Sequence, residues 1–441
     1  MLKKMPARLS ETNYSLPLIK PLFKNFSKVN ISISLPYSSD FEGERISEKD
    51  LRVELGGSKC PSLELLTLKS AAEIEDGRVE LIGPDIRETN PGDSLPLALI
   101  VDVYGRKMQQ DFEPVFERQL HRFINYAQGI THSGQRGMNL IRVSNKAYER
   151  GFSLKEIGVI LHTMLHKEYG AILDKVQVRL YTRKEDVNNL LVEAKKVFGR
   201  RDERVRGMSD ESVDTYYSCL ICQSLTPNHV CVITPERTGI CGAYSWLDAK
   251  ASFEITPSGP NQPILKGEVL DQRLGQWDSV NDFVYSNSGK RIKKVSLYSL
   301  IDSPQTSCGY FECIIVIIPE VNGVMIVDRN YLGPTPSGMD FSTLIGLMER
   351  GAQTPGFLGA SKLYLLSKKF ISAEGGLKRV VWMPKELKNF LKNELAKAAK
   401  DIGAADLLEK IADEETAVNL GELYNFAKKV KHPALSMEPL L

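Results

Sequence analysis

No stretch of this chain is apolar for long enough to cross a membrane. The first twenty residues, MLKKMPARLSETNYSLPLIK, carry positive charge but no apolar run of leader length, so neither a membrane helix nor a secretory signal is expected. Charge of one sign is missing as well. Against 57 Lys and Arg stand 55 Asp and Glu, a formal net charge of +2; this selects no partner class and argues against broad nucleic-acid binding, which needs a strongly basic face. A disulfide framework is not expected either, because five of the seven cysteines group as possible metal ligands and only Cys60 and Cys313 are left over. Thiols used in this way fit a reducing compartment, so the chain reads as soluble and cytoplasmic. Neither an internal repeat nor a disordered composition is visible. The 441 residues, 42% hydrophobic and 25% charged, allow two or three domains with cores of their own.

The fold class is read as α/β or α+β, with two mixed alpha-beta domains and a helical carboxy-terminal tail. Residues 1 to about 60, interrupted by Pro17, Pro21 and Pro36, read as an irregular lead-in with short alternating runs such as Val29 to Leu35. A first domain is expected over 61–205. Within it PLALIVDVY, from Pro96 to Tyr104, has the continuous apolar character of a buried strand. Phe112, Val115, Phe116, Leu120, Phe123 and Ile124 recur at helical steps. Helices are also expected from Leu154 to Glu168 and from Lys184 to Phe198, with a strand from Val176 to Tyr181. The basic residues Lys195, Lys196, Arg200, Arg201, Arg204 and Arg206 read as a linker, either a solvated helix end or a phosphate-contacting edge. A second domain is expected over 206–441. Its strands are read at Gln262 to Val269, Arg291 to Leu300, Phe311 to Pro319, Val324 to Val327 and Arg379 to Met383, and Asn322-Gly323 is a hairpin signal. From about residue 385 the tail is helical, with Leu387, Phe390, Leu391 and Leu395 on one face.

The densest chemistry lies between residues 219 and 241. Cys219, Cys222, Cys231 and Cys241 follow the spacing Cys-x2-Cys-x8-Cys-x9-Cys, and a fifth cysteine, Cys308, stands in Cys308-Gly309-Tyr310. Four thiolates so grouped suit one soft metal centre, either structural zinc or an iron-sulfur cluster. Zinc sites usually show two tight Cys-x-x-Cys knuckles, and only Cys219 and Cys222 make one here. The looser pair, Cys231 and Cys241, favours a larger cluster with ligands from several directions. His229, between two of these cysteines, reads as a hydrogen-bond donor to the sulfurs. His132 reads as a contact to ligand or backbone.

At these residues the chain resembles the nickel-dependent acetyl-CoA synthase, called acetyl-CoA decarbonylase/synthase beta subunit in methanogens. The resemblance is carried by DESVDTYYSCLICQSLTPNHVCVITPERTGICG (210–242) and continues through RVELIGPDI (78–86), GRKMQQDFEPVFERQLHRFINY (105–126), TPSGPNQP (256–263), QTPG (353–356) and SKKFISAEGGLKRVVWMP (367–384). It covers roughly residues 45 to 395. It corresponds to the two carboxy-terminal domains of the bacterial enzyme, without the amino-terminal domain that docks on carbon monoxide dehydrogenase. The resemblance implies that Cys219, Cys222, Cys231 and Cys241 hold a 4Fe-4S cluster and that the Cys222 sulfur also bridges to a nickel ion. Methyl, CO and coenzyme A are joined at that nickel, the methyl group arriving from a corrinoid iron-sulfur protein. CO dehydrogenase subunits are implied as further partners. Catalytic roles would fall to Cys222 and Cys308.

The family's remaining nickel ligands come from a Cys-Gly-Cys tripeptide, and here the second cysteine is Tyr310. A phenol offers a hard oxygen, a poor bridge to a low-valent metal. Two outcomes follow: one nickel held between Cys222 and Cys308, with Gly309 and Tyr310 alongside, or nickel chemistry lost while the iron-sulfur cluster remains. Cys313 reads as a buried structural residue rather than a substitute thiolate. Leu225 stands where the family usually has phenylalanine, and Met348-Glu349-Arg350-Gly351 where it prefers glycines. Arg136, Arg142 and Arg200 are candidates for the phosphates of coenzyme A, to which guanidinium forks bind in pairs of hydrogen bonds; purely structural ion pairs are the alternative. The reading is therefore an acyltransferase of the acetyl-CoA synthase type with an altered nickel site, or a paralogue keeping the cluster for structure, electron transfer or binding.

Overall fold

A computed structural model describes residues 46–441, so the runs expected near Val29 to Leu35 lie outside the described residues. Mixed α and β structure extends along the described chain, as its alternating periodicities imply. Among the described residues two compact units are distinguished, the first made of 46–104, Glu117–Glu168 and Lys175–Lys195, and the second of Gly105–Phe116, Tyr169–Asp174 and Lys196–Leu441.

In the first unit the strands are β1 (Leu51–Gly56), β2 (Ser62–Leu68), β3 (Val79–Ile82), β4 (Asp93–Leu95), β5 (Leu97–Tyr104), β6 (Ile130–Ser133), β7 (Leu140–Ser144) and β8 (Lys175–Tyr181). They form two four-stranded sheets, in the orders β2-β5-β8-β3 and β4-β1-β7-β6. β1 lies inside the stretch expected to be an irregular lead-in; all six of its residues are buried. β5 is apolar at nearly every position and sits inside its sheet, buried except at Tyr104. Its one carboxylate, Asp102, is tolerated there because both sheet neighbours supply partners, Thr67 Oγ1 at 2.8 Å and the Arg179 guanidinium. The helix Lys155–Tyr169 packs on this sheet through Gly158, where a Cβ would fall 2.4 Å from Val79 Cγ1. The helical period read across 112–124 is carried by two short helices, Glu113–Glu117 and Leu120–Ile124, instead of one. At the break Glu117 is buried and accepts the Leu66 N–H at 3.0 Å.

The second unit contains β9 (Thr215–Cys219), β10 (Cys231–Ile233), β11 (Pro263–Leu265), β12 (Val269–Asp271), β13 (Gln276–Trp277), β14 (Cys313–Ile318), β15 (Gly323–Asp328), β16 (Phe357–Ala360) and β17 (Val380–Trp382). β10-β9-β11 is one antiparallel sheet, and β16-β14-β15-β17 encloses the larger core with Leu300, Ile315, Ile326, Leu365 and Leu395. The strand expected over 291–300 does not form. There Leu297 N and Tyr298 N donate instead to Gly275 O and Leu274 O, so the segment buries its apolar residues against a loop. The tail is helical at Lys385–Phe390, Lys392–Asp401, Leu407–Lys410 and Leu420–Lys429. Leu387, Leu391 and Leu395 enter the core at four-residue steps, but Phe390 falls off that stripe and is 69% exposed.

The β14–β15 hairpin turns at Asn322, which takes φ 51°, and Ile318 pairs with Gly323 across it. The Asn322 amide also donates to Ala434 O and Met437 O, both at 2.9 Å, and its oxygen accepts Leu440 N–H at 2.9 Å. One side chain thus fixes both the turn and the chain terminus. Asn322→Ala is expected to destabilise this unit by about 2–4 kcal/mol, and Asn322→Gly, which tolerates the turn, by less. Urea unfolding followed by tryptophan fluorescence reads this unit, because Trp246, Trp277 and Trp382 all belong to it. An alanine variant as stable as the parent would mean that the strands alone hold the turn.

Candidate metal centre

β9 and β10 pair antiparallel with Cys219 directly opposite Cys231, so the two thiols project from one face of the sheet. Cys222 follows at once on the 3-10 turn Ile221–Ser224, and its carbonyl accepts from Leu225 N at 3.0 Å and Thr226 N at 2.9 Å. Gln223 closes the next loop by donating to His229 O at 3.1 Å and Asn287 O at 2.7 Å. Cys241 sits in a tight turn in which Gly242 N donates to Gly239 O at 2.8 Å. Gly242 has φ +75°, and a Cβ there would lie 2.5 Å from the Glu312 carboxylate. The result is that all four thiols, with His229 and Tyr310, line one small cavity of about 20 Å³.

Electrostatics makes these thiols costly to ionise together. Burial, then the neighbouring Cys231, pushes Cys219 up to about 12; burial likewise pushes Cys231 up to about 11 and raises Cys241. Cys222 is the exception, drawn down to about 7 by its hydrogen bond with Cys308, whose own thiol that contact pushes up. A cationic metal centre would remove the repulsion, so the donor set fits such a group. Among the described residues, the only His, Cys, Asp or Glu trio with ligand atoms all within 4.8 Å of one another is Asp76, His162 and His166. No three of these thiols come that close. Around one tetrahedral zinc with Zn–S about 2.3 Å, sulfurs sit about 3.8 Å apart, so the spread suits a multi-metal cluster better than a single ion.

Arg237 lies in the segment between Cys231 and Cys241, and sequence reasoning passed over it. It is 1% exposed, donates from Nη1 to Leu297 O at 2.7 Å and lies over the Tyr364 ring. Its Nη2 is buried without a hydrogen-bond partner. The positive charge favours the Cys231 thiolate. Only burial could have flagged it among many surface arginines. His229 is buried and held neutral, its pKa lowered to about 4 chiefly by burial, with Nδ1 3.0 Å from Thr306 Oγ1.

Cys308, 1% exposed, adjoins this cavity through Cys222, and the turn after it is tightly specified. Gly309 takes φ +82°, open to glycine at little cost. Tyr310 N lies 3.3 Å from Cys308 Sγ. Arg329 clamps the turn by donating to Gly309 O at 2.6 Å and Phe311 O at 2.7 Å. A Cβ on Gly309 would lie 3.3 Å from Arg350 Nε, so the Met348–Gly351 segment does reach this turn. Tyr310 itself is 49% exposed.

Other candidates fall elsewhere. Cys313 is buried in β14 within the hydrophobic core. Leu225 is 65% exposed and does not line the cavity. In the first unit Arg142 pairs with Glu54 through Nε at 2.9 Å and Nη2 at 2.8 Å, and Arg136 lies 3.7 Å from Glu117. His132 is buried against Glu64 at 2.9 Å. Arg200, in the second unit, is exposed on the helix Lys184–Arg206.

Comparison with known proteins identifies the family. Residues 198–441 match the C-terminal family profile of the ACS/CODH beta subunit, and residues 33–187 match the profile of the CO dehydrogenase/acetyl-CoA synthase complex beta subunit. The carbon monoxide dehydrogenase/acetyl-CoA synthase subunit alpha of Moorella thermoacetica is 49% identical over 94% of this chain, which spans 57% of that relative's length. The acetyl-CoA decarbonylase/synthase complex subunit beta of Methanopyrus kandleri is 44% identical, with 89% of this chain and 83% of the relative covered. The solved C-terminal domain of an acetyl-coenzyme A synthase alpha subunit is 48% identical over 31% of this chain and all (100%) of its own, with a TM-score of 0.29. The chain therefore belongs to the CO dehydrogenase/acetyl-CoA synthase beta-subunit family.

Proposed function

We propose that this chain is an acetyl-CoA synthase or decarbonylase subunit that assembles or cleaves acetyl-CoA from a methyl-corrinoid, CO and coenzyme A, with a nickel site altered at Tyr310. The observation that carries this reading is the convergence of five thiols, four lining one cavity and Cys308 hydrogen-bonded to Cys222. Cys219, Cys222, Cys231 and Cys241 would hold a 4Fe-4S cluster, and Cys222 with Cys308 a nickel ion. Together these metals supply a soft, low-valent centre at which a methyl group, CO and a thiol can be joined.

The chain's own residues prepare that centre. Arg237 offsets the anionic charge of the Cys231 thiolate, and neutral His229 adds no charge of its own. Arg329 holds the Gly309 and Phe311 carbonyls, so the turn after Cys308 keeps its shape although its second thiolate is missing. Proposed contacts for the phosphates of coenzyme A are Arg136, Arg142 and Arg200. Arg200 is exposed, whereas Arg136 and Arg142 would be shared with Glu117 and Glu54. A corrinoid iron-sulfur protein and CO dehydrogenase subunits are the proposed partners.

Tyr310 favours a second reading, in which the cluster serves structure, electron transfer or binding and no acetyl group is formed. Anaerobic reconstitution separates the two. Wild type is expected to hold about four iron and four sulfide per chain, and Cys219→Ala to lose most of both. With nickel added, the first reading expects carbonyl exchange on acetyl-CoA that disappears in Cys308→Ala. Absence of exchange, together with absence of any nickel-dependent CO signal, would sink it. Tyr310→Cys is expected to raise nickel content, because a soft thiolate replaces a hard oxygen; unchanged nickel would clear Tyr310 of limiting the site. Arg237→Met is expected to lower iron retention under chelator challenge by about tenfold or more, given the cost of buried charge without a counter-ion. Equal retention would exclude Arg237 as the counter-charge.

A further inference from the structure

The first unit contains a second group of metal-ligand atoms, formed by residues far apart in sequence. His162 and His166 lie four residues apart on the helix Lys155–Tyr169, so both rings emerge on one face. Asp76 reaches them from the loop before β3. Its Oδ1 is 3.1 Å from His162 Nε2 and 2.9 Å from His166 Nε2. Around an ion bound at about 2.0–2.2 Å, adjacent ligands are separated by roughly 2.9–3.5 Å, so these spacings already match a shared centre.

The loop bearing Asp76 is fixed in advance. Val176 N donates to Asp76 Oδ1 at 2.9 Å, and Gly77 N donates to Val176 O at 3.0 Å. Glu75 N donates to Gln177 Oε1 at 3.0 Å, and Lys175 Nζ holds Ala71 O at 2.9 Å. Gly77, at φ +78°, leaves room beside the His162 ring, where even a Cβ would lie 3.6 Å from Nε2. The helix is anchored on the same sheet through Gly158. Both sides of the group are therefore held by β8 and its neighbours, and the outer side stays wet: the side chains of His162, His166 and Asp76 are 27%, 28% and 43% exposed.

We propose that Asp76, His162 and His166 bind one divalent transition-metal cation of the zinc or nickel type, each giving one ligand atom, with water completing the coordination. Two imidazoles and a carboxylate suit such borderline ions, whereas calcium and magnesium require mainly oxygen. On binding, each imidazole presents an unprotonated Nε2 and keeps its proton on Nδ1, and the Val176 N–H continues to orient the carboxylate. Three protein ligands with open positions describe an exchangeable ion rather than a closed structural one.

The site does not depend on the cysteines, and its test keeps the two apart. Full-length protein is titrated with Zn2+ against a chromophoric chelator, in parallel with Asp76→Asn, His162→Gln and His166→Gln. Wild type is expected to take up one more zinc per chain than each variant, while uptake by the cysteine site stays equal in all four. Equal total uptake by wild type and all variants would overturn the proposal. Zinc-soaked crystals of the same protein give a second measurement that no misfolded variant can confuse: an anomalous peak between the two Nε2 atoms and the Asp76 carboxylate is expected. Peaks at the cysteines alone would also overturn it.

Discussion

The second unit is organised around one electrostatic problem, the assembly of several thiols in a buried place where each thiolate raises the cost of the next. Cys219 and Cys231 face each other across paired strands, and burial pushes both well above the ordinary thiol range, with repulsion from Cys231 adding at Cys219 and from Cys241 at Cys231. Without a compensating positive charge the arrangement would ionise only partly. A metal centre compensates when bound, and Arg237 compensates permanently. Its burial explains other features nearby: Leu297 O accepts from its Nη1, and the 291–300 segment forgoes a strand ladder while presenting that carbonyl. Asp210, buried at the start of the cysteine region, accepts Glu236 N–H at 3.0 Å and Tyr298 Oη–H at 2.6 Å. Loop geometry, buried cation and thiol positions thus form one set of mutual constraints.

The turn Cys308-Gly309-Tyr310 separates shape from donor chemistry. Its shape is fixed by Gly309 at positive φ and by Arg329 bonding two carbonyls. None of these interactions uses the side chain at 310, which is half-exposed. The identity of the side chain at 310 is therefore not what holds the turn in place.

Several elements were legible in the sequence because local signals agreed with tertiary demands. β5 is a continuous apolar run, the Asn322-Gly323 turn needs positive φ, and the cysteines cluster within 23 residues. The features that escaped depend on contacts absent from any local window. Val295, Leu297 and Leu300 suggest a strand, but their N–H groups donate to the Asn281 side chain, the Gly275 carbonyl and the Glu374 carboxylate instead of a neighbouring strand. Phe390 resembles its apolar neighbours, yet the four-residue steps from Leu387 leave it outside. Arg237 is buried beside thiols, whereas Arg201, equally buried, is paired with Glu113, and no local window separates the two. Asp76 lies 86 residues from His162, and no periodicity links them.

The chain offers two ligand sets of different chemical character. The cysteine set is soft, largely buried and crowded with like charge; the Asp76 set is borderline, partly exposed and already joined by hydrogen bonds. Raw affinity orders the divalent metals similarly at most sites, so discrimination rests on donor type and geometry. Thiols of which no three lie mutually within 4.8 Å favour a cluster, whereas nitrogen and oxygen atoms about 3 Å apart favour a single ion. Each set therefore disfavours the other's metal on geometric grounds as well as by softness. All three residues of the Asp76 set belong to the first unit, and all five grouped thiols to the second.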